Sequence, residues 1–203
     1  FAIIGPSTTG ESLKIKKLCQ DNKTILISCA AAEAIVEPLL PYVFKTPQKD
    51  SYAARKIFMR LKEMGLTKVG IVSDNTGFGA GGKDQLEKYA PEFGMTIVGN
   101  EVYDKGDTDL TAVATKIKAS GAEVVYTGDW SPDAANVLKQ SRQMGITLPF
   151  ANLFMDEPNM LAEVGVEGTK GLMNIKHFEQ AGPQFTNAGM KKYYTVWRNE
   201  WKK

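Results

Sequence analysis

The stretch DSYAARKIFMRLKEMGLTKVGIVS, from Asp50 to Ser73, sets a helix, a glycine and a strand in immediate succession. Between Asp50 and Met64 the residues Ala53, Ala54, Ile57, Phe58, Leu61 and Met64 fall on one face, while Arg55, Lys56, Arg60, Lys62 and Glu63 cover the other. That three-to-four-residue repeat is the signature of an amphipathic helix. Gly65 follows, where a helix ends by entering the left-handed conformation that glycine tolerates. Lys68 to Ser73 then reads as a strand, and its nearly continuous apolar run Val69 to Val72 is what a parallel sheet covered on both faces requires.

The same punctuation returns along the chain. Phe93-Gly94, Ser120-Gly121 and Met144-Gly145 each close a helical pattern before a short strand, so the four glycines recur at 29, 27 and 24 residues. The runs that follow, Thr96 to Tyr103, Glu123 to Tyr126 and Leu148 to Leu153, are rich in β-branched and aromatic residues. Ser131-Pro132 is an N-cap with proline at the first helical position, starting a helix over Asp133 to Met144, and Asp107 or Thr108 starts another that runs to Ser120. Helix and strand therefore alternate, and the predicted class is α/β with doubly wound parallel sheets. The front repeats the scheme with strand Ala2 to Ile4, a helix from about Gly10 to Asp21, strand Ile25 to Ser28, a short helix and strand Tyr42 to Thr46. Two or three strands make a poor sheet, so this part is expected to belong to a second lobe, completed by further sequence, by the tail after Gly171, or by both.

The 203 residues carry a formal charge of +2. Between Lys191 and Lys203 stand five basic residues and one acid, so the rest of the chain is slightly acidic. This is a solvated helix face rather than a nucleic-acid footprint, and no recognition pattern accompanies it. No apolar run approaches the roughly 20 residues of a membrane helix, so the chain as given is expected to be soluble, and both its ends read as cuts. Cys19 falls near the end of a helix and Cys29 after the next strand. A strand of about five residues rises roughly 16 Å, too far for a disulfide, so both are expected to be reduced, small and buried.

Gly77-Phe78-Gly79-Ala80-Gly81-Gly82 is a literal GxGxxG, with Glu101 20 residues beyond Gly81. It invites a dinucleotide reading. Asp74-Asn75-Thr76 separates it from the strand, however, and the Asp74 carboxylate would repel a phosphate, so the expectation is a glycine-rich loop that sets up a helix start. His177 is the only histidine, so no histidine-rich zinc site or Ser/His/Asp triad forms without it, and its neighbours offer no ligand spacing. Asp156-Glu157 before Pro158 reads as a helix start. No catalytic residue, metal site or cofactor is expected.

What remains lies at the carboxyl ends of strands, where open α/β sheets bind ligands. Gly5-Pro6-Ser7-Thr8-Thr9-Gly10 leads into a helix whose free amides and hydroxyls suit a carboxylate, although ordinary capping explains the hydroxyls equally well. Phe78 follows one strand of the other lobe and Thr127-Gly128-Asp129-Trp130 another, giving aromatic surfaces opposite an anion clamp, with core packing as the alternative.

On these residues, together with Ile25-Leu26-Ile27-Ser28 and the alanines after it, Tyr42-Val43-Phe44-Lys45-Thr46, Lys105-Gly106-Asp107-Thr108-Asp109-Leu110 and Val124-Val125-Tyr126-Thr127-Gly128, the chain resembles the leucine/isoleucine/valine-binding family of type I periplasmic solute-binding proteins. The order and spacing of the motifs carry the resemblance over nearly the whole chain. It implies two lobes joined by hinge strands, with residues 1–46 a partial first lobe, 47–171 the second lobe and 172–203 the return to the first. It also implies a receptor of an ABC importer, periplasmic or extracellular, with or without a lipid anchor, that closes on a small carboxylate and is read by a membrane permease. No chemistry, cofactor or nucleic acid enters that function.

Carried over by position, the resemblance makes Thr9, with Ser7 and Thr8 beside it, the receiver of the ligand carboxylate, and makes Ala30 a backbone contact. Ala32 stands where the amino-acid binders commonly hold a threonine, a loss of one hydrogen bond worth about 0.5 to 1.5 kcal/mol. Phe78 matches an aromatic lining position and Trp130 a tyrosine-rich loop. The acid that pairs with the ligand ammonium aligns near Phe154, which is uncharged. Either Asp129 or Asp156 takes over that role, or the ligand lacks an ammonium and is an apolar or aromatic carboxylate. Two alternatives stand beside this reading: a ligand-sensing domain of a receptor with the same fold, and an NAD(P)-dependent oxidoreductase built on Gly77 to Gly82.

Overall fold

A computed structural model describes residues 1–128, 133–152, 157–175, 188–189, 191–192 and 195–196. Its strands are β1 (Ala2–Ile4), β2 (Ile25–Ser28), β3 (Val43–Lys45), β4 (Lys68–Asp74), β5 (Thr96–Tyr103), β6 (Val124–Gly128), β7 (Phe150–Asn152) and β8 (Leu172–Asn174). Its helices are α1 (Thr9–Asp21), α2 (Asp50–Glu63), α3 (Gly77–Phe93), α4 (Thr111–Ala119), α5 (Asp133–Gln143) and α6 (Glu157–Gly168), with a 3₁₀ turn at Glu33–Ile35. The strands form two sheets, β1-β2-β3 and β5-β4-β6-β7-β8, and every pairing is parallel.

The larger sheet is covered on both faces, because alternate side chains of its strands feed two separate cores. Val69 and Ile71 of β4, Val124 and Tyr126 of β6 and Ala151 of β7 join Ile57, Phe58 and Leu61 of α2 and Leu86 and Ala90 of α3. Val72, Val125 and Phe150 face the other way and join Ile117 of α4, Leu138 of α5 and Met160 of α6. The apolar stripe of α2 is the one predicted from Ala53 to Leu61, but Met64, expected on the same face, stands at the C-cap and is exposed. Gly65, Gly94, Gly121 and Gly145 have φ of 72°, 71°, 75° and 72°, the left-handed return expected at all four positions. β8, where the sequence reading begins the return to the first lobe, is the fifth strand of this sheet.

Among the described residues, one face of the smaller sheet is packed. Leu26 and Val43 pack with Cys19, Ala30, Ala32, Ile35 and Val36 beneath α1 and the 3₁₀ turn. Ile4, Ile27 and Phe44 are in register across the opposite face, with Ile4 79 % and Phe44 51 % exposed. Beneath α1, the buried hydroxyls of Ser12 and Ser28 lie 2.7 Å apart, and Ser28 Oγ also accepts from the Ala30 amide at 3.1 Å. Ser12→Ala leaves Ser28 that second partner, so it is expected to lower stability by only about 1 kcal/mol, readable in a urea titration.

Three expectations need correction. α4 begins at Thr111 rather than Asp107 or Thr108, because the Leu110 amide donates to Gln140 Oε1 at 2.7 Å and Asp109 Oδ1 accepts from the Thr111 amide at 3.1 Å. Residues 77–82 are the first turns of α3 itself rather than a loop before it. Cys19 is buried as expected but Cys29, past the end of β2, is exposed; both thiols are free.

Candidate functional site

In the larger sheet the chain passes from β4 outward to β5, then crosses to β6 on the other side of β4. That reversal opens a crevice at the carboxyl ends of β4 and β6, the general ligand position of such sheets. Phe78 follows β4 at this point. Thr127 and Gly128 end β6, with Asn152 Nδ2 donating to Thr127 Oγ1 at 2.8 Å. Asp129, Trp130, Phe154 and Asp156 lie outside the described residues, as do His177 and most of the aromatic tail.

From the smaller sheet, α1 brings its amino end to the same place. A Cβ added to Gly77 would sit 3.1 Å from the Gly10 amide nitrogen and 3.3 Å from Thr9 Cγ2. The hydroxyl-bearing tip and the start of α3 are therefore direct neighbours. The three hydroxyls have distinct circumstances. Thr8 is the N-cap: its Oγ1 accepts from the Glu11 amide at 3.4 Å and donates to Glu11 Oε2 at 2.7 Å. Ser7 is exposed. Thr9 is 2 % exposed and its Oγ1 has no hydrogen-bond partner among the described residues. A buried hydroxyl without a partner costs roughly 1 to 3 kcal/mol, so a ligand atom there would recover that loss.

The turn after β2 supplies Ala30 and Ala32, and both are buried. The Ala30 amide is engaged by Ser28, whereas Ala32 Cβ would lie 3.3 Å from a Cβ at Gly81. Gly77 and Gly81, one helical turn apart, are thus the face of α3 that meets the smaller sheet's unit. Phe78 is only 7 % exposed and belongs to the core that holds Ala31, Phe58 and Leu86, so most of its ring packs inside.

The start of α3 is already furnished with an anion. Asp74 is buried, and its Oδ1 accepts from the Thr76 amide at 2.9 Å and the Thr76 hydroxyl at 2.5 Å, while Thr76 Oγ1 caps Gly79 at 3.3 Å. A phosphate would have to share that position with a carboxylate. Glu101, the acid of the dinucleotide reading, instead pairs with Lys116 at 2.8 Å. Nothing in this arrangement supports a nucleotide, and the described residues contain no group of three or more metal-ligating side chains.

Sequence reasoning missed two charged residues behind the turn. Asp50 is buried at the first position of α2, with Oδ1 accepting from the Glu33 amide at 2.9 Å and the Ser51 amide at 3.0 Å. Burial raises its carboxyl above the usual range. Lys45, the last residue of β3, donates through Nζ to the carbonyls of Ala31, Ala32 (3.4 Å) and Gln48 (3.1 Å). Desolvation lowers its pKa to about 8. The only sequence signal was a charge at each end of the short connection between β3 and α2.

A family model described as periplasmic binding protein matches residues 1–202. The Leu/Ile/Val-binding protein homolog 1 of Brucella abortus (strain 2308) is 27 % identical over 177 residues, covering 85 % of this chain and 47 % of that protein. Among solved structures, an extracellular ligand-binding receptor from Rhodopseudomonas palustris HaA2 is 26 % identical with a TM-score of 0.76, covering 84 % of this chain and 48 % of its own. The branched-chain amino acid transporter substrate binding protein LivJ of Streptococcus pneumoniae, in complex with isoleucine, shares the fold with a TM-score of 0.77 at 22 % identity, over 100 % of this chain and 57 % of that one. The chain spans about half the length of the curated relatives it matches.

Proposed function

The chain belongs to the periplasmic binding protein family, and from that premise we propose that it is part of a two-lobed extracytoplasmic receptor that closes on a small apolar carboxylate and presents it to the permease of an ABC importer. The observation that carries this reading is Thr9: a buried hydroxyl with no partner among the described residues, at the amino end of one lobe's helix and against the first turn of the other's. A bound carboxylate there gains the Thr9 hydroxyl and the partial positive charge of α1. Ser7 and Thr8 flank it, Ala30 and Ala32 form the wall beside it, and Phe78, Asp129, Trp130 and Phe154 belong to the opposing side. The receptor performs no chemistry on the solute; residues 1–46 are a partial first lobe, 47–171 the second lobe and 172–203 a partial return to the first, whose opening strand β8 still pairs with the larger sheet.

The ligand class follows from the relatives and from Ala32 together. Leucine, isoleucine and valine name the curated relatives, whereas Ala32 offers no hydroxyl where the amino-acid binders commonly hold one. Calorimetry on the full-length protein with L-leucine, 4-methylpentanoate and benzoate separates the cases: the first two share a side chain and differ by the amine. At least one is expected to bind, and Thr9→Val is expected to weaken it about tenfold. No binding of any of the three, or an unchanged affinity in Thr9→Val, overturns the assignment.

A further inference from the structure

The turn that carries Ala30 and Ala32 is gripped from both sides by charged side chains. From β3, the Lys45 ammonium donates to the Ala31 and Ala32 carbonyls and ties them to Gln48 O at the entry to α2. From α2, the Asp50 carboxylate accepts the Glu33 amide. The turn's methyl groups are divided likewise, Ala30 and Ala32 joining the smaller sheet's core and Ala31 the core of α2 and α3. Asp50 Oδ2 and Ala32 Cβ also stand 3.1 and 3.3 Å from the Cβ that Gly81 lacks, so the same two residues meet α3. One short segment thus joins both sheets' units, and three of its backbone polar groups, the Ala31 and Ala32 carbonyls and the Glu33 amide, are engaged by one cation and one anion.

We propose that Lys45 is a positioning residue for the ligand site: its ammonium, with Asp50 opposite, fixes residues 30–33 against the start of α3 and thereby sets the wall beside the Thr9 hydroxyl. This rests on the receptor reading above. The groups that act on the ammonium are Asp50 and Glu33, which favour its charge, and Lys49, which opposes it and is itself held by Glu37 at 2.7 Å and Glu33 at 3.7 Å. Half-burial prevails over the two acids and brings the lysine to about 8, so alkaline solution removes the proton and weakens the grip on both carbonyls. A methionine in its place keeps the stem and loses the donors.

The test uses the full-length protein in two arms. In the first, backbone amide resonances of residues 31–33 in the ligand-free protein are followed from pH 6.5 to 9.5; they are expected to titrate with a midpoint near 8 and to be pH-independent in Lys45→Met, at the wild-type alkaline positions. In the second, affinity for L-leucine, 4-methylpentanoate and benzoate is measured at pH 7, and Lys45→Met is expected to weaken whichever of them binds about tenfold. Resonances that do not titrate overturn the proposal, as does a Lys45→Met variant with shifted resonances but unchanged affinity. Should the wild type take up none of the probes, the receptor assignment falls and the first arm alone decides whether Lys45 sets the turn.

Discussion

Gly79→Ala is expected to destabilise the protein by about 3 kcal/mol or more, at the upper end of what overpacking costs. The reason lies in what surrounds the missing side chain. A Cβ there would stand closer than 3 Å to both the Asp74 carbonyl and its Oδ1, and 2.9 Å from the Gly128 carbonyl. None of these is the free end of a flexible side chain: two are backbone atoms at the tips of β4 and β6, and Asp74 Oδ1 is held by two donors from Thr76. The helix start would have to lift off the sheet, taking its neighbour Phe78 with it. Gly10→Ala is the control, because a Cβ at that helical position meets nothing within 4 Å; its midpoint in urea should stay level or rise. Equal loss in both variants would show that the close approach at Gly79 is not what matters.

The second large effect is expected from Arg142 on α5. Its Nε donates to Gly168 O at 3.1 Å, Nη1 to Ile146 O at 2.6 Å and Leu148 O at 3.0 Å, and Nη2 to Lys170 O at 2.9 Å, while the guanidinium lies 5.1 Å from the Phe150 ring centroid. One planar group therefore ties the connection between α5 and β7 to the connection between α6 and β8. Arg142→Ala strands several carbonyls at once and should lower stability by about 3 kcal/mol, with part of the gross loss returned by water because the site is partly exposed. Arg142→Lys should recover only a fraction, since a single ammonium has no rigid fork to span acceptors on two loops. The check is the change in urea midpoint of each variant, and an alanine variant within about 0.5 kcal/mol of wild type would refute the clamp.

The four glycines and the Asp50 to Ser73 pattern made the larger sheet legible because helix period and left-handed return are local properties. The order of its strands was not local, and neither was the start of α4. Asp107 and Thr108 look like caps in sequence, yet Gln140 of α5, which accepts from the Leu110 amide and donates to the Thr108 carbonyl, keeps the chain out of the helix a few residues longer. At the site, the row Ser7-Thr8-Thr9 was visible as a set of hydroxyls, but which one caps and which one is buried depends on the approach of α3. Asp50 and Lys45 resembled ordinary surface charges because the groups they hold, the Glu33 amide and the carbonyls of Ala31 and Ala32, are brought to them only by folding. The dinucleotide pattern misleads for a related reason: its glycines serve close packing, Gly79 on the strand tips and Gly77 and Gly81 on the neighbouring unit.

In the larger sheet the glycine returns all lie at the amino ends of the strands, opposite the crevice. The returns fix the turn geometry at one end, while the close approach of Gly79 to the tips of β4 and β6 fixes the helix start at the other. Substitutions in the crevice therefore stand a full strand length away from the left-handed turns that bring the chain back for its next crossing.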